Sequence, residues 1–401
     1  VTETMRIGFL PLVDAGLPIL AREMGFAEDE GLTFDLVRDM SWATVCDRLL
    51  YGHSDAAHLV APLAIATTLG LGRPAVPLSV PFVLGLNGNA ITVRPDLAEQ
   101  LTTTGTPGDI REIGRRLATV VRKAGRKLRF GVVHRYSSHN YMLRYWLRAS
   151  GIDPNQDVEI VTVAPPFATD ALSSGEVDGI CVGEPWNSVA VDRGVGVIIV
   201  VTSQIWRRGV EKVLAIKSET MTQRPEATAR LLRALWRAGQ AFADPARLDE
   251  VAAILAQPEY LDGSQELIRG AVADQILFAR DHERIHVPDF MFQHREAANF
   301  PWQSQAAWLY AQMCAAGHVT SDATDYETAQ RVFRPDIYRA ALAPLGVPLP
   351  GASAKLEGGL ELPTGVGTTQ GRLVLGPDRF FDGRPFDPER LDQYLAELAQ
   401  I

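Results

Sequence analysis

Cysteine is scarce in this chain. Cys46, Cys181 and Cys314 are the only three among 401 residues. They are odd in number and far apart, so they form neither a disulfide framework nor a CxxC metal site, and they read as small packing residues. No run of 18 apolar residues exists to make a transmembrane helix. Cations are not in excess either: 39 Lys+Arg face 48 Asp+Glu, for a formal charge of −9. A protein that grips nucleic acid over a broad surface needs clustered Lys and Arg, so direct nucleic-acid binding is not expected. Catalytic fingerprints are missing as well. GxGxxG, the phosphate-binding P-loop, GxSxG, HExxH and EF-hand patterns do not occur, and Gly85-Leu-Asn-Gly88 lacks a third glycine. His134 and His139 are five apart and do not share a helix face. These absences favour binding over chemistry, although a catalytic group assembled from distant residues stays open.

What is present is an ordinary globular composition, with 46% hydrophobic and 22% charged residues, and a length suited to two or three packed units. Strand-like and helix-like patterns alternate. Residues 6–10, 32–37 and 55–60 read as strands, while Ala15–Met24 and Ser41–Tyr51 read as helices, the second with Ser41 as its cap and Gly52 as its stop. Such alternation predicts parallel βαβ units in an α/β fold. An internal repeat adds to this. Arg6-x-Gly8 returns as Arg129-x-Gly131, and Gly52-x-x-Asp55-(x)6-Pro62 returns as Gly175-x-x-Asp178-(x)6-Pro185, always 123 positions later. Two lobes of one design, facing each other across a cleft, are expected. Residues 94–127 look polar and helical around a Thr-rich loop at 102–108. Helical periods follow at 227–242, 304–316 and 327–342, and residues 346–376 form a Gly/Pro/Thr-rich strap.

The candidate binding groups are donors. Ser41-Trp42 and Ser137-Ser138-His139-Asn140 stand at expected helix N-termini, where backbone N–H groups favour an anion. Asn87 and Asn89 supply amides at a turn, and Lys212 is a cation at the start of an apolar strand. Each also has a plain reading: core packing for Trp42, a helix cap for the serines, a turn for the asparagines and a solvated face for Lys212. Together they describe a cleft suited to a small anion.

At this point the chain resembles the nitrate/bicarbonate-binding family of solute receptors. The resemblance rests on Gly8-Phe-Leu-Pro-Leu-Val-Asp-Ala-Gly-Leu-Pro, Ser41-Trp-Ala-Thr-Val-Cys-Asp, Asp55-Ala-Ala-His-Leu-Val-Ala-Pro and Asn87-Gly-Asn-Ala-Ile-Thr. It continues through His139-Asn-Tyr-Met-Leu-Arg-Tyr-Trp-Leu, Gly151-Ile-Asp-Pro-Asn-Gln-Asp-Val, Cys181-Val-Gly-Glu-Pro-Trp-Asn and Phe381-Asp-Gly-Arg-Pro-Phe-Asp-Pro. It implies a two-lobed, type II periplasmic-binding-protein-like α/β fold with a helical C-terminal extension. Lobe I would comprise residues 1–92 and 213–401, and lobe II residues 93–212. It also implies that the anion contacts fall on Trp42, Asn89, His139 and Lys212, with Ser41, Asn87, Ser138, Glu184 and Trp186 around them, and that no metal or cofactor is needed.

Asn89 stands where some nitrate receptors are expected to carry Gln, which shortens its reach. The bicarbonate branch is expected to carry an acid, with calcium, at the position of Lys212; lysine there favours nitrate or nitrite. Nitrate accepts hydrogen bonds and donates none, so a first shell of donors only would suit it, and its affinity is expected to fall as His139 loses its proton near pH 6.5. The role expected on this basis is a cytoplasmic nitrate sensor, not an enzyme, that controls an RNA-binding antiterminator by lobe closure. The alternative is a periplasmic receptor serving the ABC permease of a nitrate importer. A third reading, a pyrimidine-precursor enzyme on the same fold, is disfavoured by the scattered cysteines.

Overall fold

The computed structural model describes residues 3–101 and 107–400, so most of the Thr-rich loop expected at 102–108 lies outside the described residues. Ten strands form the two main sheets: β1 (Glu3–Phe9), β2 (Leu32–Arg38), β3 (Ala56–Val60), β4 (Leu78–Asn87), β5 (Asn89–Val93), β6 (Leu128–Val132), β7 (Val158–Thr162), β8 (Gly179–Gly183), β9 (Val197–Val201) and β10 (Val210–Lys217). The first sheet runs β2-β1-β3-β10-β4 with Met291–Phe292 on its edge; the second runs β7-β6-β8-β5-β9. β1 is parallel to β2 and β3, and β6 is parallel to β7 and β8. β10 and β5 oppose their neighbours. Each of these two strands is the first to form after the chain has crossed from the other sheet.

The repeat has a physical basis. Arg6 N–H donates to Asp55 Oδ2 at 2.8 Å, and Asp55 N–H donates back to Arg6 O at 2.8 Å. The second lobe repeats this with Arg129 N–H on Asp178 Oδ2 at 2.8 Å and Asp178 N–H on Arg129 O at 2.7 Å. In each lobe the aspartate fastens the start of the third strand to the first, satisfying backbone groups at the sheet end.

The sheets change at Gly88 and again between Val201 and Val210, not at 92/93 and 212/213 as the sequence suggested. β5 pairs wholly within the second sheet and Lys212 lies within the first, since strand pairing sets the boundary more tightly than composition does. Gly88 has φ +83°, and a Cβ there would meet Met291 Sδ at 2.9 Å, so the first crossing requires glycine.

The expected helices at 227–242 and 304–316 appear as Pro225–Ala243 and Gln303–Ala315. The period at 327–342 splits into Ala323–Val332 and Pro335–Leu342, because proline cannot continue a helix and disfavours helical backbone just before it. The strap folds into two short antiparallel pairs, Leu349–Pro350 with Thr368–Gln370 and Thr364–Val366 with Leu373–Leu375. The C-terminal part does not belong to one lobe alone. Tyr145 Oη, on the second-lobe helix Ser138–Ala149, donates to Asp382 Oδ2 at 2.8 Å, and Arg111 Nη2 donates to Phe381 O at 2.6 Å. Arg148 Nη2 reaches Ala315 O at 2.8 Å, and Trp206 stacks on Phe380 with centroids 4.8 Å apart. Among the described residues no helix is long and apolar enough to cross a membrane.

Candidate ligand-binding site

Trp42, Asn89, His139 and Lys212 come from four different elements and are all completely buried, at 0% exposure. Trp42 opens the helix Trp42–Leu50, whose cap Ser41 accepts the Thr44 N–H at 3.2 Å. His139 is in the first turn of Ser138–Ala149, whose cap Ser137 accepts the Asn140 N–H at 3.1 Å. Asn89 opens β5 opposite Gly183, and Lys212 lies near the start of β10.

Lys212 binds the group together. Its Nζ is 2.7 Å from Asp14 Oδ2 and 2.8 Å from Glu211 Oε1, and it sits 5.4 Å from the centre of the Trp42 ring. His139 Nδ1 is 3.3 Å from Glu211 Oε1. A Cβ on Gly183 would stand 3.2 Å from Asn89 Oδ1 and 3.5 Å from Asp14 Oδ2, so the bare glycine keeps Asn89 facing the same space. Behind Asp14, His58 Nε2 approaches Asp14 Oδ1 at 2.8 Å while its Nδ1 accepts the Leu10 N–H at 3.4 Å. The second contact fixes His58 as the neutral Nε2–H tautomer, donating to Asp14. Trp42 packs over His58 with ring centres 5.1 Å apart.

Burial and charge set the protonation states. Burial raises the Asp14 carboxyl, but the Lys212 ammonium and His58 outweigh it and hold the acid well below the usual carboxylate range. Burial likewise works against the Lys212 ammonium, yet Asp14 and Glu211 keep its pKa above that of an ordinary lysine. Burial pushes His139 down to about 4, with Glu211 opposing. The ring is therefore neutral at pH 7, and the expected loss of affinity around pH 6.5 from deprotonating an already charged His139 is corrected. The expectation of a shell of donors only is corrected as well, because Asp14 and Glu211 both reach the cluster.

The polar atoms here are unusual in what they lack. Trp42 Nε1, both amide atoms of Asn89, Ser138 Oγ and both ring nitrogens of His139 are buried without a hydrogen-bond partner among the described residues. Leaving a buried polar group unpaired costs about 1–3 kcal/mol, so several together mark a place arranged for a ligand. Of the surrounding candidates, Ser138 is buried beside His139, and Trp186 is half-buried with Nε1 unpaired. Glu184 is buried, has Oε1 free of partners, and is raised by burial to about 7, Ser188 opposing. Ser41 caps its helix, and its hydroxyl also meets Thr44 Oγ1 at 2.9 Å. Asn87, with φ +58°, gives its Nδ2 to Arg207 O at 2.8 Å and Asp289 O at 3.3 Å, bracing the crossing between lobes, while its Oδ1 is buried without a partner among the described residues.

Sequence reasoning missed Asp14, His58 and Glu211. The first two sit inside segments that carry the resemblance, but nothing in their spacing gave them a role. Glu211 adjoins Lys212, and neighbouring strand residues normally face opposite ways. The pairing of β10 with β4 slips on both sides of Lys212, between Val210 and Lys212 and between Lys212 and Val213. Such an irregularity re-aims side chains and lets both reach one site.

The profile of the NMT1-like family matches residues 2–256. The chain belongs to the NMT1-like family. This NMT1-like chain is 28% identical to the nitrate/nitrite binding protein NrtA of Nostoc sp. PCC 7120, over 99% of its own length and 86% of that protein. The crystal structure of the periplasmic nitrate-binding protein NrtA from Synechocystis PCC 6803 superposes with a TM-score of 0.86 at 25% identity, covering 99% of this chain and 98% of that one. The nitrate import ATP-binding protein NrtC of Synechocystis sp. PCC 6803 is 33% identical over 85% of this chain and 50% of its own length. A second NrtC, from Synechococcus elongatus PCC 7942, matches over 99% of the chain and 55% of its own length, so the NMT1-like chain spans about half of these two relatives.

Proposed function

We propose that this chain captures nitrate or nitrite between its lobes and reports the anion by closure. The observation that carries this reading is the pair of buried, unpartnered donors beside Lys212, the Trp42 indole N–H and the Asn89 amide N–H. A planar anion with three acceptor oxygens satisfies such groups together, with the ammonium contributing the charge-assisted bond. The whole-chain likeness to two nitrate-binding receptors supports the same ligand. Titration calorimetry with nitrate, nitrite, bicarbonate and sulfate tests it. Nitrate and nitrite are expected to bind, and Lys212→Glu to abolish both; unchanged nitrate affinity in that variant rejects the assignment.

A second observation bears on where the anion is read. The two NrtC relatives are named as nitrate import ATP-binding proteins, and this chain, which carries no phosphate-binding P-loop, spans about half of each. We propose a cytoplasmic sensor whose closed form is read by an antiterminator protein; the likeness to the periplasmic NrtA of Synechocystis PCC 6803 favours the alternative, a periplasmic receptor read by an ABC permease. Affinity capture from the native cell with and without nitrate separates them. An RNA-binding partner released by nitrate supports the sensor; recovery of the protein in the periplasmic fraction supports the receptor.

A further inference from the structure

The cluster poses a charge problem for any anion. Lys212 is flanked by two carboxylates, Asp14 at 2.7 Å and Glu211 at 2.8 Å, so the formal charge of these three groups is −1 before a ligand arrives. His139 is the group able to change that. Its Nδ1 lies 3.3 Å from Glu211 Oε1, a contact without hydrogen-bond geometry, and a bare lone pair there would be repelled by the carboxylate, so Nδ1 carries the proton of the neutral ring. The remaining nitrogen, Nε2, is then an unprotonated acceptor, buried and without a partner among the described residues. A nitrate oxygen beside it would set lone pair against lone pair. The other charged or titratable groups bearing on the ring are Lys212 from the same strand as Glu211 and Asp14 from the turn after β1. Both are tied to each other, and Asp14 is also held by His58.

We propose that His139 and Glu211 form a proton-accepting pair that sets selectivity: nitrate enters the cleft together with one proton, whereas an oxyanion bearing its own O–H enters without one. The inference rests on the anion-binding reading above. The proton comes from solvent and bonds to the Nε2 lone pair. The resulting imidazolium donates through Nε2 to the anion and lies beside the Glu211 carboxylate, which returns the cluster, ligand included, to the formal −1 it had when empty. Bicarbonate instead donates its own O–H to Nε2, and the ring stays neutral. Specificity between the two anions thereby depends on pH as well as on shape.

The test is titration calorimetry of the intact protein at pH 7 in phosphate and in Tris, whose ionisation enthalpies differ. Nitrate heats are expected to differ by one buffer ionisation enthalpy per site, and the nitrate Kd to weaken about tenfold per unit between pH 6 and 8. Bicarbonate, if bound, should show no proton uptake. Glu211→Gln lets the ring carry its proton on Nε2, so its nitrate Kd should become flat over the same range; circular dichroism and thermal melting establish that it is folded. Nitrate binding by the parent protein with no uptake and a flat Kd overturns this inference while leaving the anion-binding reading intact. An undiminished slope in folded Glu211→Gln also overturns it. No binding of any oxyanion overturns both.

Discussion

Replacing Lys212 with methionine keeps much of the side chain's length and removes its charge. Two carboxylates, Asp14 Oδ2 at 2.7 Å and Glu211 Oε1 at 2.8 Å, then lose their shared cation in a place with no access to water. Removing one partner of a buried ion cluster costs about 3–5 kcal/mol, because the charge left behind is uncompensated. Unfolding entropy near 2.1 cal/mol/K per residue gives about 0.8 kcal/mol/K for a chain this long, so the loss corresponds to a fall in Tm of about 4–6 °C. Differential scanning calorimetry at pH 7.5 measures it. The triple variant Lys212→Met, Asp14→Asn, Glu211→Gln removes every formal charge and should recover most of that loss, since neutral replacement of a buried ion pair is often close to isoenergetic. A Lys212→Met protein melting within about 1 °C of the parent, or a triple variant no more stable than the single, would refute the claim that Lys212 is what holds two buried acids in place.

Trp42→Phe keeps an apolar ring and deletes the indole N–H; nitrate affinity should fall by about 1.5–3 kcal/mol, the range for a bond to a charged partner, with little change in melting. Asp178→Asn weakens the bidentate pair with Arg126, at 2.6 and 2.7 Å, that helps fasten β8 to β6. It should cost about 1–3 kcal/mol in urea unfolding at pH 7. Although burial raises Asp178, Arg126 and the Arg129 N–H outweigh it and hold its pKa low. Its contribution is therefore present above the unfolded carboxylate value and lost as pH falls through the folded one, so parent and variant should converge in acid. For His139 the sign follows from a lowered base. The unfolded ring gains a proton below about 6.5 and the folded ring only near 4, so the unliganded protein loses about 2 kcal/mol from this group between pH 7.5 and 5. Urea midpoints that do not move over that interval in the parent, or that move equally in His139→Gln, would contradict it.

Much of the fold was legible because its rules are local. Ser41 and Ser137 announced two helix starts by cap chemistry, and the 123-residue spacing exposed Asp55 and Asp178, whose side chains do the same job in both sheets. The four anion candidates do converge, drawn from segments up to 170 residues apart (Trp42 to Lys212). What stayed hidden depended on geometry that no sequence period encodes. Glu211 reaches the site because the ladder slips around Lys212, and Asn87 commits its Nδ2 to two backbone carbonyls at the crossing, where its φ is positive. The sheets change a few residues from the expected lobe boundaries because β5 is as apolar as any core strand, and only its pairing partners reveal which sheet owns it.

The C-terminal contacts on the second lobe govern time as much as architecture. With Trp42, Asn89, His139 and Lys212 enclosed, no ion exchanges unless the lobes part, and parting works against the Tyr145–Asp382 and Arg111–Phe381 hydrogen bonds. Ligand exchange is then paced by the protein's own opening rate and not by encounter, so association rates should reach a plateau as nitrate concentration rises. A partner that reads the closed form would respond to the average anion level over that interval and ignore briefer fluctuations.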